Sequence, residues 1–70
     1  MLIKLTISQT GELTLISPDE IATIEVNRKG PGSMVVLKSG KFRFVDESVE
    51  SIYRQIFGTN PGQIGNKSEN

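Results

Sequence analysis

From Leu2 to Ser8 the chain sets Ile3, Leu5 and Ile7 against Lys4, Thr6 and Ser8. That period of two predicts a half-buried strand. Gln9-Thr10-Gly11-Glu12 follows as a turn, with Gly11 supplying the positive φ that a short hairpin loop requires, and Leu13-Thr14-Leu15-Ile16 returns as a second short strand. Ser17-Pro18-Asp19-Glu20 has the layout of a capping box: Ser17 at the cap, Pro18 at the first helical position and Glu20 three residues after the cap. The β-branched alternation behind it predicts one helical turn over 18–21 and a third strand from about Ala22 to Asn27.

Lys29 to Ser33, with two glycines and a proline, is a loop. Met34–Lys38 and Lys41–Val45 then flank Ser39-Gly40, which we take as a two-residue hairpin turn. Such a turn sets Leu37 opposite Phe42, Val36 opposite Arg43, Val35 opposite Phe44 and Met34 opposite Val45. Opposed residues share a face, so Val35, Leu37, Phe42 and Phe44 are expected in the core. The other face then carries Met34, Val36, Lys38, Lys41, Arg43 and Val45. The last element, a helix over about 47–57, begins at Asp46 or Ser48 as N-cap and has Glu47 and Glu50 in its first turn. Val49, Ile52, Tyr53, Ile56 and Phe57 form its apolar stripe, and Gly58 is the expected terminating glycine. The expected fold is mainly β (α+β): a five-stranded antiparallel meander or small open barrel-like sheet with one C-terminal amphipathic helix. The domain runs over 1–58. The polar, Gly- and Asn-rich stretch 59–70 is expected to be a disordered tail.

Composition narrows the chemistry. A folding unit of about 60 residues buries only about 60% of its unfolded surface, so its core is marginal. With no Cys and no His, neither a disulfide nor the usual zinc ligands can reinforce it. A second subunit or a partner remains, and a homo-oligomer is one expectation. The absence of Cys fits a cytoplasmic location. Met1-Leu2-Ile3-Lys4 lacks a signal-peptide layout, and no apolar run approaches the roughly 20 residues of a membrane span.

No cofactor and no catalysis are expected. The carboxylates stand where folding alone would place them, at a capping box, a turn and a helix start. Glu25 lacks such a duty, and its simplest use is a cross-strand partner for Lys38 or Arg43. Gly30-Pro31-Gly32 precedes a strand rather than a helix, so it is not a phosphate cradle.

Charge is arranged more pointedly than its total suggests. Eight basic residues balance eight acidic ones, yet Arg28, Lys29, Lys38, Lys41 and Arg43 follow one another with no acidic residue between them. Together with Met34 and Val36 they make a mixed basic and apolar surface, the expected partner-binding site. A protein is the expected partner. The alternative is nucleic acid, bound by a small regulator of phage or mobile-element type through the basic 28–43 hairpin. With Phe42 and Phe44 turned inward, that alternative has no stacking platform.

The order of features, Met1 to Thr6, then Leu13-x-Leu15-Ile16-x-Pro18-Asp19-x-Ile21-x-Thr23-Ile24-Glu25, then Val36-Leu37-x-x-Gly40-Lys41, then Glu47-Ser48-Val49-Glu50-x-Ile52, resembles the FlbD-like small flagellar protein family. The resemblance covers residues 1–57. Pro18-Asp19-x-Ile21 with Ile24-Glu25, and Glu47-Ser48-Val49-Glu50, are its distinctive parts. It implies a cytoplasmic, non-enzymatic adaptor associated with flagellar genes and with motor assembly or output, and it carries over no catalytic residues. The chain departs from that family in its longer Asn27–Ser33 loop, its basic hairpin and its hydrophilic tail.

Overall fold

The computed structural model describes residues 1–58; the tail expected over 59–70 lies outside the described residues. The element order is β1 (Ile3–Thr6), β2 (Leu13–Ile16), a 3-10 turn (Pro18–Glu20), β3 (Ile21–Val26), β4 (Ser33–Leu37), β5 (Phe42–Val45) and α1 (Val49–Phe57). This is the mainly β architecture with a C-terminal helix that the periodicities predict. The strands form two open antiparallel sheets, β1-β2 and β3-β4-β5. A single bridge between Ile7 and Val45 joins them, reinforced by the Ser8 amide donating to the Phe44 carbonyl (2.9 Å) and the Asp46 amide donating to the Thr6 carbonyl (2.9 Å).

Local signals operate largely as expected. Gly11 takes φ +75° in the first hairpin loop. Ser17 caps the 3-10 turn, but its hydroxyl accepts from the Asp19 amide (3.3 Å) instead of from Glu20, so the capping box closes one residue early and β3 starts at Ile21. Ser48, not Asp46, is the N-cap of α1 and accepts from the Ser51 amide (3.0 Å). The helix therefore begins at Val49, two residues inside the expected span. Gly58 ends it at φ +75°, its amide donating to the Arg54 carbonyl.

Ile3, Leu5, Val35, Val45 and Ile52 are buried and make up the core, with Ile7, Ile16, Ile21, Ile24, Leu37 and Ile56 packed around it. Ile52 brings the helix stripe into this cluster, while Phe57 at the end of the stripe stays exposed. The helix lies against β1 and β3 and does not cover Met34 and Val36.

The second hairpin corrects the expected register. Ser33 pairs with Val45, Met34 with Phe44, Val35 with Arg43 and Val36 with Phe42. The loop contains three residues, not two: the Gly40 amide donates to the Leu37 carbonyl (2.9 Å), the Leu37 amide donates to the Lys41 carbonyl (2.7 Å), and Gly40 sits at φ +95°. This is a type I turn followed by a left-handed residue, the usual three-residue hairpin connection. One extra loop residue shifts the pairing by one and turns every β5 side chain to the opposite face. Val45 is consequently in the core, and Phe42 and Phe44 are outside it.

The joints of the fold are polar and well satisfied. The Ser33 hydroxyl, fully buried, donates to the Glu47 carbonyl (2.7 Å). The Glu47 carboxylate accepts from the Thr6 amide (2.8 Å) and the Thr6 hydroxyl (2.8 Å). Burial pushes this carboxyl up, but the Thr6 amide, the Thr6 hydroxyl and its own amide outweigh that and leave its pKa below the ordinary carboxylate value. Gln55 reaches from the helix to β1: the Lys4 amide donates to Oε1 (2.8 Å), and Nε2 donates to the Lys4 carbonyl (2.8 Å).

A candidate partner-binding face

The three-stranded sheet has one face turned into the core and one turned out. Pairing assigns Met34 and Val36 of β4, Phe42 and Phe44 of β5, and Thr23 and Glu25 of β3 to the outer face. Met34 and Val36 are half-buried, whereas Phe42 is 54% and Phe44 38% exposed. The two rings stand edge to face with centroids 5.7 Å apart, the geometry that aromatic quadrupoles favour. At one end, Glu25, Val26, Asn27, Arg28, Lys29, Met34 and Phe44 line a shallow depression of about 170 Å³. Val26, 66% exposed, pairs with the buried Ser33 and so belongs to the opposite face, but at the strand end it reaches the edge of this depression.

The loop that carries Arg28 and Lys29 is held by Asn27. Its Oδ1 accepts from the Lys29 amide (2.9 Å), its Nδ2 donates to the Pro31 carbonyl (3.4 Å), and its own amide donates to the Gly32 carbonyl (3.2 Å). Gly32 closes the loop at φ +89°. A Cβ there would lie 2.1 Å from the Val45 carbonyl oxygen, so only glycine lets the loop pass over β5. The loop that looked like plain punctuation is thus a constrained platform for two cations.

The expected site residues separate into three groups. Met34 and Val36 lie on the outer face, with Arg28 and Lys29 beside its open end. Lys38 and Lys41 stand at the hairpin tip, where the Lys38 amide donates to the Glu20 carbonyl (2.8 Å) and Lys41 faces Leu37. Arg43 is not on the Met34 face. It lies opposite the buried Val35 at the mouth of the space between the two sheets, and its guanidinium donates to the Phe42 carbonyl (2.9 Å). Glu25 pairs with Met34, not with Lys38 or Arg43. Residue patterning missed Phe42, Phe44 and Val26 as surface groups. The signal that could have found the two aromatics is Lys-Ser-Gly-Lys over 38–41, which places glycine at the third loop position where a left-handed residue belongs.

Among the described residues, no cluster of His, Cys, Asp or Glu could hold a metal ion, and no helix is long and apolar enough to cross a membrane. No protein-family model, curated protein or solved structure matches the chain.

Proposed function

We propose that this chain is a small non-catalytic adaptor that binds a protein partner through the outer face of its three-stranded sheet. One observation carries this reading: two phenylalanines, a methionine and a valine are gathered on a sheet face that the protein's own helix leaves uncovered. Clustered exposed apolar groups rimmed by charge are the usual mark of a protein-binding surface, and aromatic residues with Arg typically carry its energy. Arg28 and Lys29 at the rim favour a partner with acidic residues flanking its apolar contact. The non-catalytic part is supported by the missing His and Cys and by Glu47, Asp19 and Glu12 lying within turns, caps and backbone hydrogen bonds. Cytoplasmic location and a flagellar context rest on the resemblance to the FlbD-like family.

The decisive experiment captures partners from the source cells with the wild type and with Phe42→Ser/Phe44→Ser. The variant should lose the proteins that the wild type retains while keeping its circular dichroism spectrum. Equal recovery would overturn the reading.

The outward aromatics also favour a second reading, nucleic-acid binding by a small regulator, since Phe42 and Phe44 next to Arg28, Lys29 and Arg43 supply a stacking platform with cations around it. Glu25 on the same face and the zero net charge weigh against phosphate. Retardation of single-stranded DNA or RNA at low salt, falling steeply as salt rises, would move the assignment to this reading.

A further inference from the structure

The first hairpin carries an interface of a different kind. Lys4 and Thr6 of β1 send their peptide groups away from β2: Lys4 to Gln55, and Thr6 to Glu47 and Asp46. In an antiparallel ladder, residues whose peptide groups point away form the narrow pairs, and the partner in each such pair also points outward. The partners are Leu15 opposite Lys4 and Leu13 opposite Thr6. Among the described residues, Leu13 and Leu15 therefore present both N–H groups and both carbonyls along an unpaired edge of β2. Their side chains are 63% and 56% exposed on the outer face of the same strand.

Free edges are normally blunted by charge, proline, a bulge or a covering element. Both outer strands of the other sheet have such devices: β3 carries Glu25, is irregular between Ile21 and Thr23 and lies beside the helix, while β5 carries Arg43 and is met at Phe44 and Val45 by Ser8 and Ile7. The second edge of β1 is occupied by Gln55 and Glu47. Among the described residues, Leu13-Thr14-Leu15-Ile16 has none of these.

We infer that β2 pairs antiparallel with β2 of a second copy of this chain, about a two-fold axis through Thr14. That register sets Leu13 opposite Leu15 of the second copy and Leu15 opposite its Leu13. All the outward-pointing peptide groups of both strands then satisfy one another. The same step gathers four leucines on one face of a continuous four-stranded sheet and places the two Thr14 side chains opposite each other, a favourable cross-strand pair. Two-fold symmetry juxtaposes like with like, so a charged edge would repel itself, whereas β2 carries no charge. The two Lys4 side chains of the neighbouring strands stand at least roughly 14 Å apart across three strand spacings, beyond the Debye length of about 8 Å at physiological salt. A hetero-partner would need no such parity between positions 13 and 15. Four residues a side make a small interface, so the dimer is weak.

Sedimentation of the full chain from about 10 µM to about 1 mM tests this, spanning the range in which weak association shows. The wild type should shift from monomer to dimer, and Leu13→Lys/Leu15→Lys should remain monomeric throughout. Amide exchange supplies a readout on the wild type alone. The Leu13 and Leu15 amides should gain protection with concentration, while those of Thr14 and Ile16, bonded to β1, stay protected at all concentrations. A wild type that remains monomeric at about 1 mM, a dimer that survives the double lysine variant, or a dimer whose Leu13 and Leu15 amides exchange freely would each overturn the assignment.

Discussion

The two faces of the β3-β4-β5 sheet come from the same few residues and serve opposite ends. On the inner face, Ser33, Val35 and Val45 have essentially no exposure and knit the sheet to β1 and the helix. On the outer face, one residue along in each strand, Met34 and Val36 are half-covered and Phe42 and Phe44 are open to solvent. In β5 the two phenylalanines lie outside and the smaller Val45 inside. A chain selected for stability alone would reverse that order, since each fully buried large side chain contributes about 1.5–3 kcal/mol. Apolar area left on the surface of so small a domain is stability forgone, which is what the binding face proposed above would require.

Substitutions on either side of this divide should differ sharply. Gly32→Ala attacks the inner face hardest, because the added methyl meets the Val45 carbonyl and the backbone stays at positive φ. Strain and overpacking together should cost about 4 kcal/mol, read as a collapse of the urea midpoint. Val45→Ala removes two methyl groups from a fully buried site and should lower stability by about 2 kcal/mol. Glu47→Gln weakens the joint between β1 and the helix and should cost about 1 kcal/mol at neutral pH.

Glu47 also sets a pH dependence. Its carboxyl titrates lower in the folded state than in the unfolded chain. The stability it contributes is therefore present above the unfolded carboxyl pKa of about 4.3 and is lost as pH falls through the folded value. Denaturant midpoints measured from pH 6 down to pH 3 should fall less in Glu47→Gln than in the wild type. Phe42→Ser closes the series on the outer face: more than half exposed, it should change stability by about 1 kcal/mol or less while removing partner capture. A loss as large as that of Val45→Ala would make Phe42 a structural residue and erase the contrast between the faces.

Much of the fold was legible because its signals are local. The alternation Ile3, Leu5, Ile7, the Ser17-Pro18 start, the stripe containing Ile52 and the glycine after Phe57 each act within a few residues, and each element lies within two residues of its expected place. Met34 and Val36 were legible as surface for the same reason. The orientation of Phe42, Arg43, Phe44 and Val45 was not, because hydrophobicity argues for buried phenylalanines while loop length argues the reverse. In such conflicts local patterning yields to backbone geometry, and sites where levels disagree tend to be functional ones. Gln55 and Glu47, which tie the helix to β1 across 51 and 41 residues of sequence, leave no trace in any local pattern.

The three-residue connection at Lys38-Ser39-Gly40 has an evolutionary corollary. Because side chains alternate strictly along β5, an indel of one codon at this tip acts as a two-position switch: odd loops display the phenylalanines, even loops hide them. Relatives of this chain that lost one residue here could keep every strand and every apolar residue yet present a basic patch in place of an aromatic one. A lineage could thus exchange the proposed binding surface for a different one without a single substitution.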